Sequence, residues 1–300
     1  MTKTIKLIAV DLDGTLLDSE SRLSERTEQV MKQAIAQGVK VVLATGKTAY
    51  SGRDLVKRLG LDTPGIYTQG LEIRYPDDSS KVLAALDADL ARRFITYADE
   101  RGFDVVAYNG SRLFTRKLTP QVRELSERYH DAMPEVVGPL QNLLNTMDFS
   151  KLLIMRRHDV KRINALRYQF NLQLDGKARL VQALGDMLEV LPPGQSKGRA
   201  LKVVLKELNI QESEVMALGD GENDIEMVKM AGIGVAMGNA HDSLKAVADH
   251  VTATNDEDGV AAAVERFVLK LEQQPAAEQA AVTEASKDAQ DESGKESDKS

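Results

Sequence analysis

The chain is 300 residues long, 42% hydrophobic and only 4% aromatic, with a formal net charge of −7 and no cysteine. Such a length supports one large or two modest domains. The acidic balance argues against nucleic acid, which asks for a basic face, and the lack of cysteine excludes disulfide and thiol chemistry and fits a reducing compartment.

No apolar run reaches the length of a membrane span. The first strand begins almost at once and leaves no room for a signal peptide, so a cytoplasmic protein without a membrane partner is expected. Residues 5–10 are an apolar run with β-branched Ile5, Ile8 and Val10, the pattern of a strand covered on both faces in a parallel sheet. The run stops at Asp11-Leu12-Asp13-Gly14-Thr15. Open α/β sheets bind ligands at the carboxyl ends of their strands, and two carboxylates one residue apart are costly to desolvate unless a cation lies between them. A metal and reaction site fits this pattern. A plain polar turn with Gly14 at positive φ is the competing reading. A calcium loop fits poorly, because its glycine comes later and a helix precedes it.

Helical spacing over 24–37 stops at Gly38 and leads to a buried strand at 39–44, which ends in Thr45-Gly46-Lys47. A helix over 50–59 closes at Gly60, and short strands at 65–69 and 71–75 flank a glycine. This alternation predicts βαβ units and a parallel sheet. The rhythm changes after Pro76-Asp77-Asp78. A helix over 87–101 precedes strands at 103–108 and 112–116, joined by the hairpin signal Asn109-Gly110-Ser111. Helices over 120–130 and 160–170, a helical piece near 140–144, and strands at 151–155, 179–183 and 187–191 complete an α+β unit with an antiparallel sheet.

Pro192-Pro193-Gly194 ends this insert and the first rhythm resumes. Ser196 can cap a helix over 197–208, and a strand at 215–218 ends in Gly219-Asp220-Gly221-Glu222-Asn223-Asp224. A helix, a strand at 233–236, a helix over 243–248, a strand at 250–253 and a closing helix over 256–271 follow. The expected fold is α/β: a doubly wound, Rossmann-like parallel-sheet core made of 1–76 and 193–273, interrupted by an α+β domain at 77–192. Residues 274–300 are too polar to offset their ordering entropy and read as a disordered acidic tail.

Taken together, Asp11-Leu12-Asp13-Gly14-Thr15, Thr45-Gly46, Lys197 and the run from Gly219 to Asp224 resemble, in order, the four motifs of the haloacid dehalogenase superfamily. The likeness is to its Cof-type branch of sugar-phosphatase-like hydrolases with a class IIB cap, and it covers about residues 5–270. The resemblance implies a Mg²⁺-dependent phosphomonoester hydrolase working through an aspartyl-phosphate on small phosphorylated metabolites such as sugar phosphates. Flavin mononucleotide or pyridoxal phosphate, a phosphotransferase or mutase, and a non-catalytic phosphometabolite sensor are the alternatives.

By the same resemblance, Asp11 is the nucleophile and Asp13 the general acid and base. Mg²⁺ is held by Asp11, Asp13 through its carbonyl, and Asp220; it would cancel the repulsion between attacking carboxylate and phosphate and suits oxygen ligands. Leu12, Thr45, Gly46, Lys197 and Asn223 surround the phosphate, with Asp224 holding Lys197 or a metal water from behind. The chain departs from the family pattern at Lys47, where arginine is common, and at Gln69, where Asn-Gly is usual. Lys47, Gln69, Arg112 and Arg156 are therefore the candidates for substrate selection. His130, His158, His241 and His250 lack metal spacing, and the glycines of residues 232–238 straddle a strand instead of following one, unlike a dinucleotide loop.

Overall fold

The short apolar runs become the middle of a parallel sheet. The computed structural model describes residues 4–129, 131–182 and 185–270. β1 (Leu7–Val10) is buried at every position, and β2 (Lys40–Leu43) lies parallel beside it, Val10 opposite Leu43. Between them, α1 (Glu25–Ala36) begins at Ser24, whose hydroxyl accepts from the Thr27 N–H and satisfies one unpaired donor of the first turn. Its Val30, Met31 and Ala34 face inward. α2 (Ala49–Leu59) ends on Gly60 at φ 66°, as the sequence predicts.

The next segment departs from expectation. β3 (Gly65–Tyr67) touches β2's end through a bridge from Ile66 to Ala44, but with β4 (Glu72–Arg74) and β5 (Ser80–Val82) it forms a separate antiparallel sheet. The link explains this. Residues 68–70 make a tight turn, far too short for the crossover that a parallel pair needs. Pro76-Asp77-Asp78, where the rhythm changes, is the turn between β4 and β5, and β5 itself is not among the expected strands.

The insert contributes α3 (Ala88–Glu100), β6 (Asp104–Asn109), β7 (Arg112–Thr115), α4 (Pro120–Tyr129) and β8 (Glu135–Val136). It continues with β9 (Lys151–Met155), α5 (Val160–Asn171), β10 (Arg179–Val181) and β11 (Met187–Leu191). Its six strands run in the order β10-β11-β9-β6-β7-β8. One face packs on α3 and α5 through Phe94, Ile95, Ile163, Leu166 and Phe170. The other carries Tyr108, Leu113, Leu153 and Met155, covered in part by Val122 and Leu125 of α4. This second face looks toward the core.

The chain then returns. α6 (Lys197–Leu208) starts at Ser196, whose Oγ accepts from the Arg199 N–H. β12 (Val215–Gly219), α7 (Ile225–Met230), β13 (Ile233–Ala236), α8 (Asp242–Lys245), β14 (His250–Val251) and α9 (Gly259–Val264) complete the layer. The core sheet has the order β14-β13-β12-β1-β2, with every pair parallel. The closing helix is shorter than expected: Asp258, at φ 58°, precedes α9, and a wider π turn covers Glu265–Leu269. The expected tail at 274–300 lies outside the described residues, among which no helix is long and apolar enough to cross a membrane.

Several polar contacts tie the insert to the core, among them the following two. Ser111, in the β6–β7 turn, donates at 2.7 Å to Glu72 of β4, which is fully buried. Asp131, just past α4, accepts from the hydroxyl of Thr48 at the start of α2.

Candidate active site

β1 and β12 are neighbours in the sheet, so the residues that follow them, Asp11 and Asp220, meet at one edge. Between Asp11 and Asp224 lies the Lys197 ammonium, 2.8 Å from the first and 2.7 Å from the second. All three side chains are buried. Burial opposes the charge on Lys197, yet the two carboxylates outweigh it and hold the ammonium well above the ordinary lysine range. Burial raises the Asp11 carboxyl, with Lys197 opposing and Asp224 and Asp220 adding to the rise. Asp220 is pushed up to about 6, first by burial and then by Asp224.

The turn after β1 folds tightly onto this cluster. Gly14 takes φ 72°, and a Cβ there would stand 2.4 Å from Asp220 Oδ2, so the position requires glycine. Thr15 donates to Asp220 Oδ1 at 3.3 Å, and Asn239, which sequence reasoning missed, donates to the Gly14 carbonyl at 2.8 Å.

A divalent cation fits this arrangement. Carboxylate oxygens of Asp11, Asp220 and Asp224 all lie within 4.8 Å of one another. Against the one ammonium, three ionised carboxylates leave an excess of two negative charges, which burial makes costly. Asp224 already uses Oδ1 on Lys197 and Oδ2 on the N–H groups of Asp220 and Gly221. Asp11 and Asp220 are therefore the carboxylates placed to hold the ion, while Asp224 fixes the lysine and the Asp220 loop.

The remaining expected residues divide into two groups. Thr45 follows β2 as a buried side chain, its hydroxyl accepting from the Lys47 N–H at 3.1 Å. Gly46, Lys47, Gln69 and Asn223 line the same cavity as Asp11 and Asp13, a space of about 1050 Å³. Leu12 is buried, its carbonyl accepting from Thr15 and Leu17. The Lys47 ammonium lies 2.7 Å from Asp13. Gln69 accepts from Asn223 at 3.0 Å.

Arg112 and Arg156 are not brought to the site. Arg112 pairs with Glu135 at 3.0 Å on an exposed edge, and Arg156 donates to the carbonyls of Arg101 and Gly102. In their place the insert presents Tyr108, Lys151 and Glu189 to the cavity. Lys151 is buried, 2.9 Å from Glu189 and 4.4 Å from the Tyr108 ring centre. Strand parity could have found them, because Leu113 and Leu153 line the cavity while Arg112, one position before Leu113, lies on the opposite face. His241 also borders the cavity, but its ring caps α8 by accepting from Ser243.

A buried lysine among aspartates that follow two neighbouring parallel strands, faced across a cavity by an inserted α+β unit, is the arrangement of a capped α/β hydrolase. Residues 8–264 match the haloacid dehalogenase-like hydrolase family, and the chain belongs to it. The chain is 33% identical over 267 residues to 5-amino-6-(5-phospho-D-ribitylamino)uracil phosphatase YcsE of Bacillus subtilis, with 88% of this chain and 96% of the relative covered. It is 35% identical over 271 residues to the chloroplastic endoribonuclease YBEY of Arabidopsis thaliana, covering 87% of this chain but 46% of that protein, so it spans about half of that relative's length. The crystal structure of a haloacid dehalogenase-like hydrolase from Bacteroides thetaiotaomicron superposes with a TM-score of 0.80 at 32% identity, over 88% of this chain and 99% of the other.

Proposed function

We propose that the chain is a Mg²⁺-dependent phosphatase of small phosphorylated metabolites that works through an aspartyl-phosphate. The observation that carries this reading is the buried Asp11–Lys197–Asp224 arrangement beside Asp220, facing the cavity that Asp13 also borders. Mg²⁺ held by Asp11 and Asp220 would neutralise phosphate charge, so that one anion can approach another.

In the first half-reaction an Asp11 oxygen attacks phosphorus, the bond to the leaving oxygen breaks, and Asp13 gives that oxygen its proton. In the second, Asp13 takes a proton from water, which attacks the phosphorus; inorganic phosphate leaves and both aspartates return to their starting states. Lys197 keeps Asp11 in place and adds positive charge where the transferred group sits. Thr45, Gly46 and Asn223 supply donors to its oxygens.

The insert, taken as residues 77–192, acts as a cap that selects the leaving group. The cavity stands at the top of the range of about 300–1,000 Å³ for small-molecule sites and combines apolar Leu113, Leu125, Leu153 and Met187 with polar Lys151 and Glu189. This suits a sugar or polyol phosphate that also carries a ring, the kind of substrate named for the Bacillus relative. A panel of phosphate esters scored by phosphate release, with Mg²⁺ and with a chelator, tests the reading. Release should need the metal and should vanish in Asp11→Asn while the circular dichroism spectrum stays unchanged. Activity within tenfold of wild type in Asp11→Asn would rule the mechanism out.

A further inference from the structure

The turn from Thr68 to Gly70 is held in a conformation that two of its residues disfavour. Thr68, Gln69 and Gly70 take φ of 52°, 61° and 85° in succession, and a Cβ makes the left-handed region unfavourable. Strain of this kind persists only where surrounding contacts dictate it, and here they are visible. The Thr68 N–H donates to the Lys47 carbonyl at 2.8 Å and the Gln69 N–H to the Thr45 carbonyl at 3.2 Å. Gly70 lies against the Ser196 carbonyl, one residue before Lys197. The turn thus meets the Thr45–Lys47 loop on one side and the start of α6 on the other.

The Gln69 side chain completes the junction. Its Nε2 lies 2.6 Å from where a Gly46 Cβ would stand, so the carboxamide rests directly on the Gly46 backbone. Its Oε1 accepts from Asn223 Nδ2 at 3.0 Å. One side chain therefore connects the loop after β2 to the loop after β12, and both border the same cavity as Asp11 and Asp13.

We propose that Gln69 is a positioning residue of the phosphate grip: its carboxamide fixes the Asn223 amide against Thr45-Gly46, so that these donors meet phosphate oxygens in one arrangement. This assigns Gln69 to the group shared by all substrates and removes it from the leaving-group wall. The inference rests on the phosphatase reading above.

The test compares Gln69→Met, which keeps volume and loses the acceptor, with Asn223→Ala and the double variant. Each is assayed on a panel of esters and for competitive inhibition by inorganic phosphate. Gln69→Met should raise the phosphate inhibition constant about tenfold and lower kcat/KM by a similar factor for every ester, leaving their ranking intact. The double variant should lose little beyond Asn223→Ala, because the two residues act as one unit. An unchanged phosphate inhibition constant with an altered ranking would overturn the proposal and place Gln69 on the leaving-group wall. Wild-type behaviour of Gln69→Met would overturn it too, leaving only packing. If the wild-type protein released phosphate from no ester, calorimetric binding of inorganic phosphate would still decide: equal affinity of wild type and Gln69→Met overturns the proposal, and a tenfold loss upholds it.

Discussion

Lys47 donates to Asp13 at 2.7 Å, so the cation that follows Thr45-Gly46 serves an aspartate of the site before any substrate arrives. Asp13 is half exposed while Lys47 is mostly covered, so the lysine holds the pair from its buried side. Lys47→Ala should therefore lower kcat by about tenfold, the scale of a misplaced general acid. It should change the phosphate inhibition constant less than about threefold. Steady-state kinetics separates the two; a rise in the inhibition constant with kcat intact would assign Lys47 to direct phosphate contact instead.

Removing the Lys197 ammonium leaves Asp11 and Asp224 buried without their shared partner. Lys197→Ala should destabilise the metal-free protein by about 3–5 kcal/mol, the usual result of orphaning a buried charge. Saturating Mg²⁺ should recover part of the loss, and adding Asp224→Ala should cost little more. Urea unfolding with and without Mg²⁺ measures all three. A loss below about 1 kcal/mol would show that the carboxylates do not depend on the lysine.

Selection by the insert should follow Lys151 and Glu189. Lys151→Met and Glu189→Gln should reorder the esters by kcat/KM, because each changes a charged group on the insert's side of the cavity. Arg112→Ala and Arg156→Ala should leave the order as it is, since their side chains bond Glu135 and the Arg101 and Gly102 carbonyls. Reordering by the arginine variants alone would reverse this assignment.

Tyr67 offers a pH test outside the acidic cluster. Burial, helped by Glu72 and opposed by Arg74, pushes its hydroxyl up to about 12. A raised folded-state value means that its contribution to stability is complete below pH 10 and is lost as pH rises through about 12. Wild type should accordingly lose stability faster than Tyr67→Phe between these limits, and the difference between their unfolding curves isolates this one group. Parallel curves would mean that Tyr67 ionises in the fold as it does in the unfolded chain.

The core was legible because its signals are local. Four apolar residues before Asp11, a serine at each of two helix starts and glycine at the end of α2 all carry their physics in a few neighbouring positions. The acidic cluster was legible through resemblance, which placed Asp11, Lys197 and Asp220 in one site before the sheet order was known. What escaped depends on contacts between distant segments. Nothing near Ser80–Val82 announces a strand, whose partner is β4. That Lys47 reaches Asp13, and that Gln69 meets Asn223 from far along the chain, shows only once the fold sets these segments side by side. Arg112 was chosen for its charge and its place on a hairpin, whereas the side of the strand decides what it can reach.

Ser111 with Glu72 and Asp131 with Thr48 join the two walls of one chamber. Side chains outside the acidic cluster thus help to hold the insert over it, and the chamber's walls are fastened by residues that a reading of the cluster alone would pass over.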